Sequence, residues 1–187
     1  MTTTDYTKVY GDFAGLATDK DRIRPRRKGM LRAYCNQAED GFTCKHCGVF
    51  VSCALELASV HNRNHCPYCL WSRHIDLYEP GDRLSACKAP MRPVGLTMKK
   101  TRKKYARCAP GELMLIHLCA GCAALSVNRL AADDDPQALV EIFERSLHTE
   151  AALYELLCHS AIELLGAQDQ SLVIGQLFGS EAAFATG

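Results

Sequence analysis

Three pairs of cysteines, each separated by two residues, supply the clearest chemical signal in the chain: Cys44/Cys47, Cys66/Cys69 and Cys119/Cys122. Two intervening residues let a tight turn bring both sulfurs onto one tetrahedral zinc ion, at about 2.3 Å from each. Eighteen residues separate the first pair from the second, which is typical of a zinc ribbon. Because no βαβ pattern surrounds these pairs, a thioredoxin-like redox pair is disfavoured. The spacing therefore predicts a structural zinc site of Cys44, Cys47, Cys66 and Cys69.

The third cysteine pair needs two further ligands. We take Cys87 as the third ligand, because it lies between the pairs in the short segment SACKAP. For the fourth, His117 would crowd the adjacent turn and Cys108 lies beside a basic segment, whereas His74 leaves the first ribbon as the chain heads towards Cys87. We favour His74 and leave the other two open. The second predicted site is therefore His74, Cys87, Cys119 and Cys122, so two Zn²⁺ ions are expected.

The cysteine content and the N-terminus bear on the cellular compartment. The chain has 11 cysteines, and its first residues, MTTTDYTKVYGDFAG, lack the basic start and apolar run of an export signal. No stretch has the apolar length that a bilayer requires. In a reducing cytosol, cysteines at these spacings serve metal binding or catalysis more often than disulfides. We therefore expect a soluble, cytoplasmic protein with no membrane partner, and its oligomeric state stays open.

A net charge of +1 conceals a strong division of charge along the chain. Residues 1–132 hold 21 Lys and Arg against 11 Asp and Glu, whereas residues 133–187 hold one Arg against ten acids. Two segments concentrate the cations, and either could meet the phosphates of a nucleic acid, although solvated loops have the same composition. The first comprises Arg22, Arg24, Arg26, Arg27 and Lys28; the second comprises Lys99, Lys100, Arg102, Lys103, Lys104 and Arg107, with Tyr105 available for stacking. The composition of this second segment, MKKTRKKYAR between Met98 and Arg107, predicts an exposed loop.

The sequence divides into three predicted regions. Residues 1–34 form a basic, weakly ordered arm. Residues 35–134 carry short apolar stretches punctuated by Gly, Pro and cysteine pairs, which predicts a small α+β domain of the zinc-ribbon or treble-clef type. Residues 135–187 change to helical spacing, with Asp135 as N-cap and Pro136 at the first helical position. This acidic, amphipathic C-terminal extension is predicted as one long helix ending at Gly166, or as a helical pair broken near His148, followed by a tail.

The segment RNHCPYCLWSRHID, residues 63–76, resembles the signature of the RNHCP family of small zinc-binding proteins. The similarity extends to CKHCG at 44–48, PGDR at 80–83, Cys87, the last cysteine pair and NRLAADD at 128–134. The resemblance implies metal binding rather than a particular activity.

A weaker similarity in layout is to the HNH endonucleases, whose cysteine pairs brace a ββα-metal nuclease site. On that resemblance His74 would act as general base, and Asp76 would help to bind a catalytic divalent cation. His74 cannot be both zinc ligand and base, so the two interpretations exclude each other at this residue.

These observations lead to one expected function and two alternatives. We expect a zinc-stabilised nucleic-acid-binding module, with RNA or a ribosome-associated ribonucleoprotein as its partner and without catalysis. The alternatives are an HNH-like metal-dependent endonuclease and a protein-interaction scaffold that uses the C-terminal helix. The apolar stripe of that helix fits a core role better than a docking role, because stripes of this width usually pack on their own domain.

Overall fold

A computed structural model describes residues 41–99 and 111–179 of the chain. The basic arm predicted over residues 1–34 lies outside the described residues, as does most of the basic loop predicted between Met98 and Arg107. The strands are β1 (Gly41–Thr43), β2 (Phe50–Ser52), β3 (Ser72–Arg73), β4 (Pro90–Lys99), β5 (Glu112–Cys119) and β6 (Leu125–Arg129). The helices are α1 (Leu55–Ala58), α2 (Pro136–Ser146), α3 (Ala151–His159) and α4 (Gln170–Phe178), with a 3₁₀ turn at Ala167–Asp169.

The described strands form two antiparallel sheets, which confirms the predicted α+β class. The smaller sheet pairs β1 with β2, and the larger one has the order β3-β4-β5-β6, so neighbours in space are neighbours in sequence. Leu96 of β4 lies opposite Leu115 of β5, and both side chains are fully buried. The register shifts between Pro93 and Gly95, where proline provides no N–H for the ladder.

Helix α2 covers one face of the larger sheet and supplies much of its core. Leu139, Ile142 and Phe143 are each at most 3% exposed and belong to one cluster with Leu96 and Leu115. Burying side chains of this size contributes about 1.5–3 kcal/mol each. The apolar stripe of α2 is therefore used inside the chain, as the sequence predicts, and is not available to a partner.

The predicted helical part of the C-terminal extension is a pair, α2 and α3, which is one of the two predicted forms, and the predicted tail contains a further helix, α4. Helix α2 begins as expected, because the Asp135 carboxylate accepts a hydrogen bond from the Gln137 N–H at 2.9 Å and Pro136 occupies the first turn. The predicted stop at Gly166 is wrong, since α3 already ends at His159. Ala161 adopts a φ of 53° there, and the N–H groups of residues 161 and 162 return to carbonyls of α3 in a Schellman-type ending.

Candidate metal centres

Four sulfurs converge at the first predicted site: those of Cys44, Cys47, Cys66 and Cys69. Their Sγ atoms all lie within 4.8 Å of one another. The Cys44–Cys69 and Cys47–Cys66 sulfurs are each 3.6 Å apart, far beyond the roughly 2.05 Å of a disulfide. Four sulfurs at about 2.3 Å from a tetrahedral zinc ion would be roughly 3.8 Å apart. The donor set and its spacing therefore fit one zinc ion.

A second group brings together the other four predicted residues: His74, Cys87, Cys119 and Cys122. The Cys87 and Cys119 sulfurs are 3.6 Å apart, and Nδ1 of His74 lies 3.2 Å from the Cys122 sulfur. Three sulfurs and one imidazole nitrogen are a donor set typical of structural zinc. Of the three candidates for the fourth position, His74 is in this group, His117 is buried elsewhere, and Cys108 lies outside the described residues.

All three Cys-x-x-Cys turns share one backbone geometry. The first cysteine of each turn accepts a hydrogen bond on its carbonyl from the N–H four residues later, which belongs to Gly48, Leu70 or Ala123, at 2.9, 2.9 and 3.1 Å. That fourth residue has a positive φ in every turn, of 78°, 59° and 57° respectively. Glycine at position 48 predicts this conformation, but Leu70 and Ala123 do not. Holding a residue with a side chain at a positive φ costs about 1–2 kcal/mol of folding free energy. Two of the turns are therefore maintained against a local backbone preference.

Hydrogen bonding and burial shift the acidity of these thiols in opposite directions. The Val49 N–H lowers the pKa of Cys47, and the Ala89 N–H lowers the pKa of Cys87. Desolvation, together with the neighbouring sulfurs, raises the pKa of Cys122 to about 11. Because cysteine binds a metal as the thiolate, loading either group releases protons, and acid favours the metal-free form.

Arg63 and His65 of the RNHCP signature contact two aspartates that follow β6. Arg63 contacts the Asp133 carboxylate at 2.8 Å and the Asp134 carboxylate at 3.4 Å. His65 places Nε2 2.9 Å from Asp134, which also accepts the Ala131 N–H at 2.7 Å. The side chains of Arg63, His65 and Asp134 are at most 2% exposed. His65 therefore hydrogen-bonds to Asp134 rather than binding a metal, and joins the second cysteine turn to the segment that follows β6.

A second chain of hydrogen bonds starts at the asparagine of the signature. Asn64 donates to the Asn128 side-chain oxygen at 3.1 Å, and the Asn128 amide nitrogen lies 2.8 Å from Nδ1 of His117. Nε2 of His117 is 2.7 Å from the carbonyl oxygen of Leu70. Burial and the nearby His65 lower the pKa of His117 to about 3, and the hydrogen bond to Leu70 opposes this only in part. Neutral His117 thus donates to Leu70 and accepts from Asn128, which connects the second turn to β5 and β6.

Asp76 does not have the freedom that an HNH-like metal ligand needs. Its two carboxylate oxygens accept backbone N–H groups from Gly81 at 2.9 Å and Arg83 at 3.1 Å, and the Arg83 guanidinium lies 3.4 Å away. Asp82 likewise accepts four backbone N–H groups of the same loop; these outweigh its desolvation and lower its pKa. Since His74 lies in the second sulfur group, the residues of the HNH resemblance build a turn and a metal cluster instead.

Among the residues predicted to contact nucleic acid, Lys99 is the one that the structure describes. It is exposed at the end of β4 and lies opposite Glu112 in the β4–β5 ladder. The expectation that Met98 and Lys99 belong to a loop is wrong, because both pair with β5. The other predicted contacts lie outside the described residues: Arg22, Arg24, Arg26, Arg27, Lys28, Lys100, Arg102, Lys103, Lys104 and Arg107.

Two small sheets braced by two cysteine-rich groups define a zinc-binding module. The model of the RNHCP domain matches residues 39–140, which is more than half of the chain. The chain therefore belongs to the RNHCP domain family, and the match extends into the first turn of α2, beyond the similarity read from the motifs. No relative was found among curated proteins, and no solved structure matches. None of the described helices has the length and hydropathy that a membrane crossing requires.

Proposed function

We propose that this zinc module binds nucleic acid, with RNA or a ribonucleoprotein as the partner. The observation that carries the proposal is the division of charge along the chain, 21 Lys and Arg against 11 acids in residues 1–132. A polyanion is the partner that such a surplus favours, because each neutralised phosphate releases a counterion.

The cationic segment between β4 and β5 supports this assignment, because several acids of the domain already have a cationic partner elsewhere in the chain. Asp133 and Asp134 neutralise Arg63, and Asp76 neutralises Arg83. The segment from residue 100 to residue 110, which connects β4 to β5, contains five Lys and Arg and no acid. These cations have no acid within their own segment to offset them.

The metal groups support the assignment because they would stabilise strands that are too short to be stable alone. Strands β1 and β2 have three residues each, and Val51 is their one fully buried apolar side chain. Such a sheet cannot persist by burial alone, so zinc supplies the free energy that a larger core would otherwise provide. Cations next to a rigid element lose less entropy on meeting phosphates than cations on an unfolded chain.

The test is a binding titration of the full, zinc-loaded chain with a labelled single-stranded RNA across a salt series. Replacing Lys103 and Lys104 by glutamine removes two charges, so the salt slope should fall by about 1.4 and the affinity by about 10- to 30-fold near 0.1 M salt. The matched control replaces Ala151 and Ala152 of α3 by glutamate. Both are exposed and the pair lowers the net charge equally, so binding should change little if charge acts locally.

Two results would count against the proposal in different ways. Equal weakening by the control variant would show that net charge, and not the segment between β4 and β5, governs binding. Absence of RNA binding at low salt, in protein with its full zinc content, would overturn the assignment altogether.

A further inference from the structure

A groove of about 260 Å³ lies beside the first metal group, and Cys44 of that group is in its lining. One wall comes from the first cysteine turn, with Lys45 and His46, and the other from Arg73 and Lys88. Arg73 precedes His74 in the sequence and Lys88 follows Cys87, and both His74 and Cys87 belong to the second group. Trp71 lies in the lining between them. The groove therefore combines the first cysteine turn with residues that are adjacent in sequence to two ligands of the second group.

The groove contains a preformed aromatic surface. The rings of His46 and Trp71 are stacked, with centroids 4.2 Å apart and planes only 7° from parallel. His46 is exposed and Trp71 is half-buried, so the histidine presents a flat face to solvent and the indole supports it from behind. Stacked aromatic faces of this kind bind unpaired bases, because every base has a π face of its own.

Cations surround this aromatic pair. Lys45, Arg73 and Lys88 are exposed and line the groove, and no Asp or Glu is among its described lining residues. The Arg73 guanidinium is held in place by hydrogen bonds of 3.2 and 2.9 Å to the Lys88 carbonyl oxygen, which leave its other N–H groups available. A zinc ion bound by four thiolates would carry about two negative charges and one bound by three thiolates and a neutral histidine about one, so the three cations balance the two sites. The exposed cations are nevertheless the charged groups that line the groove, and they are the ones that an anion entering it would meet.

We propose that this groove binds one nucleotide of a single strand, with the base on the His46–Trp71 stack and the adjacent phosphates on Lys45, Arg73 and Lys88. The inference rests on the proposed nucleic-acid function and assigns it a site and a strand preference. A duplex hides its base faces in its own stack, so only an unpaired base can reach the aromatic pair. The two phosphates that flank one nucleotide would add about −1.4 to the slope of log affinity against log salt concentration.

Trp71 is the single tryptophan of the chain, so its fluorescence reports directly on this groove. Titration of the zinc-loaded full chain with a single-stranded oligonucleotide of mixed sequence should change the Trp71 emission saturably. The midpoint should agree with that from the anisotropy of a label on the oligonucleotide. A duplex of the same sequence should change the emission much less.

Two variants of His46 separate stacking from a general structural role. His46→Ala should weaken single-strand binding by about 5- to 150-fold, as loss of one base–aromatic stack does, and His46→Phe should restore most of it. Neither variant replaces a ligand, so both should retain the zinc content of the wild type, which elemental analysis of each variant checks. The control is His148→Ala, which removes an exposed histidine from the connection between α2 and α3.

The outcomes distinguish this inference from the function on which it rests. If the oligonucleotide binds but leaves the Trp71 emission unchanged, and His46→Ala binds as tightly as His148→Ala, the groove is not the site and nucleic-acid binding lies elsewhere. Equal emission changes with duplex and single strand would overturn the strand preference. If no oligonucleotide binds at low salt, both the site and the proposed function are wrong.

Discussion

The buried carboxylate of Asp134 offers the sharpest test of how the fold is held together. It contacts Arg63 at 3.4 Å, His65 at 2.9 Å and the Ala131 N–H at 2.7 Å, and its side chain is 1% exposed. Asp134→Asn keeps the shape but leaves the Arg63 charge less compensated. Breaking a buried pair from one side costs about 3–5 kcal/mol, and Arg63 retains Asp133, so we expect about 3 kcal/mol. The free energy of unfolding should fall by this amount.

The assay is urea unfolding at a fixed free zinc concentration, followed by circular dichroism. With a slope of about 2 kcal/mol per molar urea, the midpoint should fall by about 1.5 M. Asp133→Asn is the matched control, because it removes the same kind of charge from the same arginine, but the Asp133 side chain is 33% exposed. It should cost about 1 kcal/mol or less. Equal midpoints for Asp134→Asn and the wild type would refute the view that this carboxylate joins the two halves of the domain.

The remaining predictions concern the metal groups. Protein purified without chelator should contain close to two zinc ions per chain by elemental analysis, and His74→Ala close to one; two ions in the variant would exclude His74 as a ligand. Ala123→Gly should raise the free energy of unfolding by about 0.5–1 kcal/mol in urea titrations, because glycine relieves the φ of 57°; a decrease would contradict the assigned strain. Gly121→Ala should weaken zinc binding at the second group, because the added Cβ would lie 2.7 Å from the Ala89 Cβ and 3.4 Å from the Cys87 sulfur. Competition with a chelator measures this, and an unchanged zinc affinity would show that the turn accommodates the added methyl group.

The grouping of the metal-binding side chains could be predicted from sequence, because ligand geometry acts over short spacings. Two residues between cysteines define a turn, and eighteen between Cys47 and Cys66 define a ribbon. The choice of His74 for the second group needed one further step, its position just before the chain reaches Cys87. The N-cap at Asp135 was equally predictable, since capping depends on two adjacent residues.

The features that escaped prediction depend on contacts between distant residues. Arg63 and Asp134 are 71 positions apart, and nothing in the local sequence pairs them. Leu70 adopts a positive φ because its turn requires it, although leucine has no local preference for that conformation. The groove beside Trp71 combines residues from four separate segments, so its aromatic and cationic sides cannot be recognised before the fold is known.

The two ligand sets also follow one another along the chain without interleaving: the first is complete at Cys69, before the second begins at His74. A nascent polypeptide can therefore capture its first metal ion while the strands of the larger sheet are still being synthesised. The second capture must wait for Cys122, and the Arg63–Asp134 contact must wait for Asp134. The two sites can thus be filled in the order of the sequence, and a shortage of zinc during synthesis would favour chains with the first site filled and the second site empty.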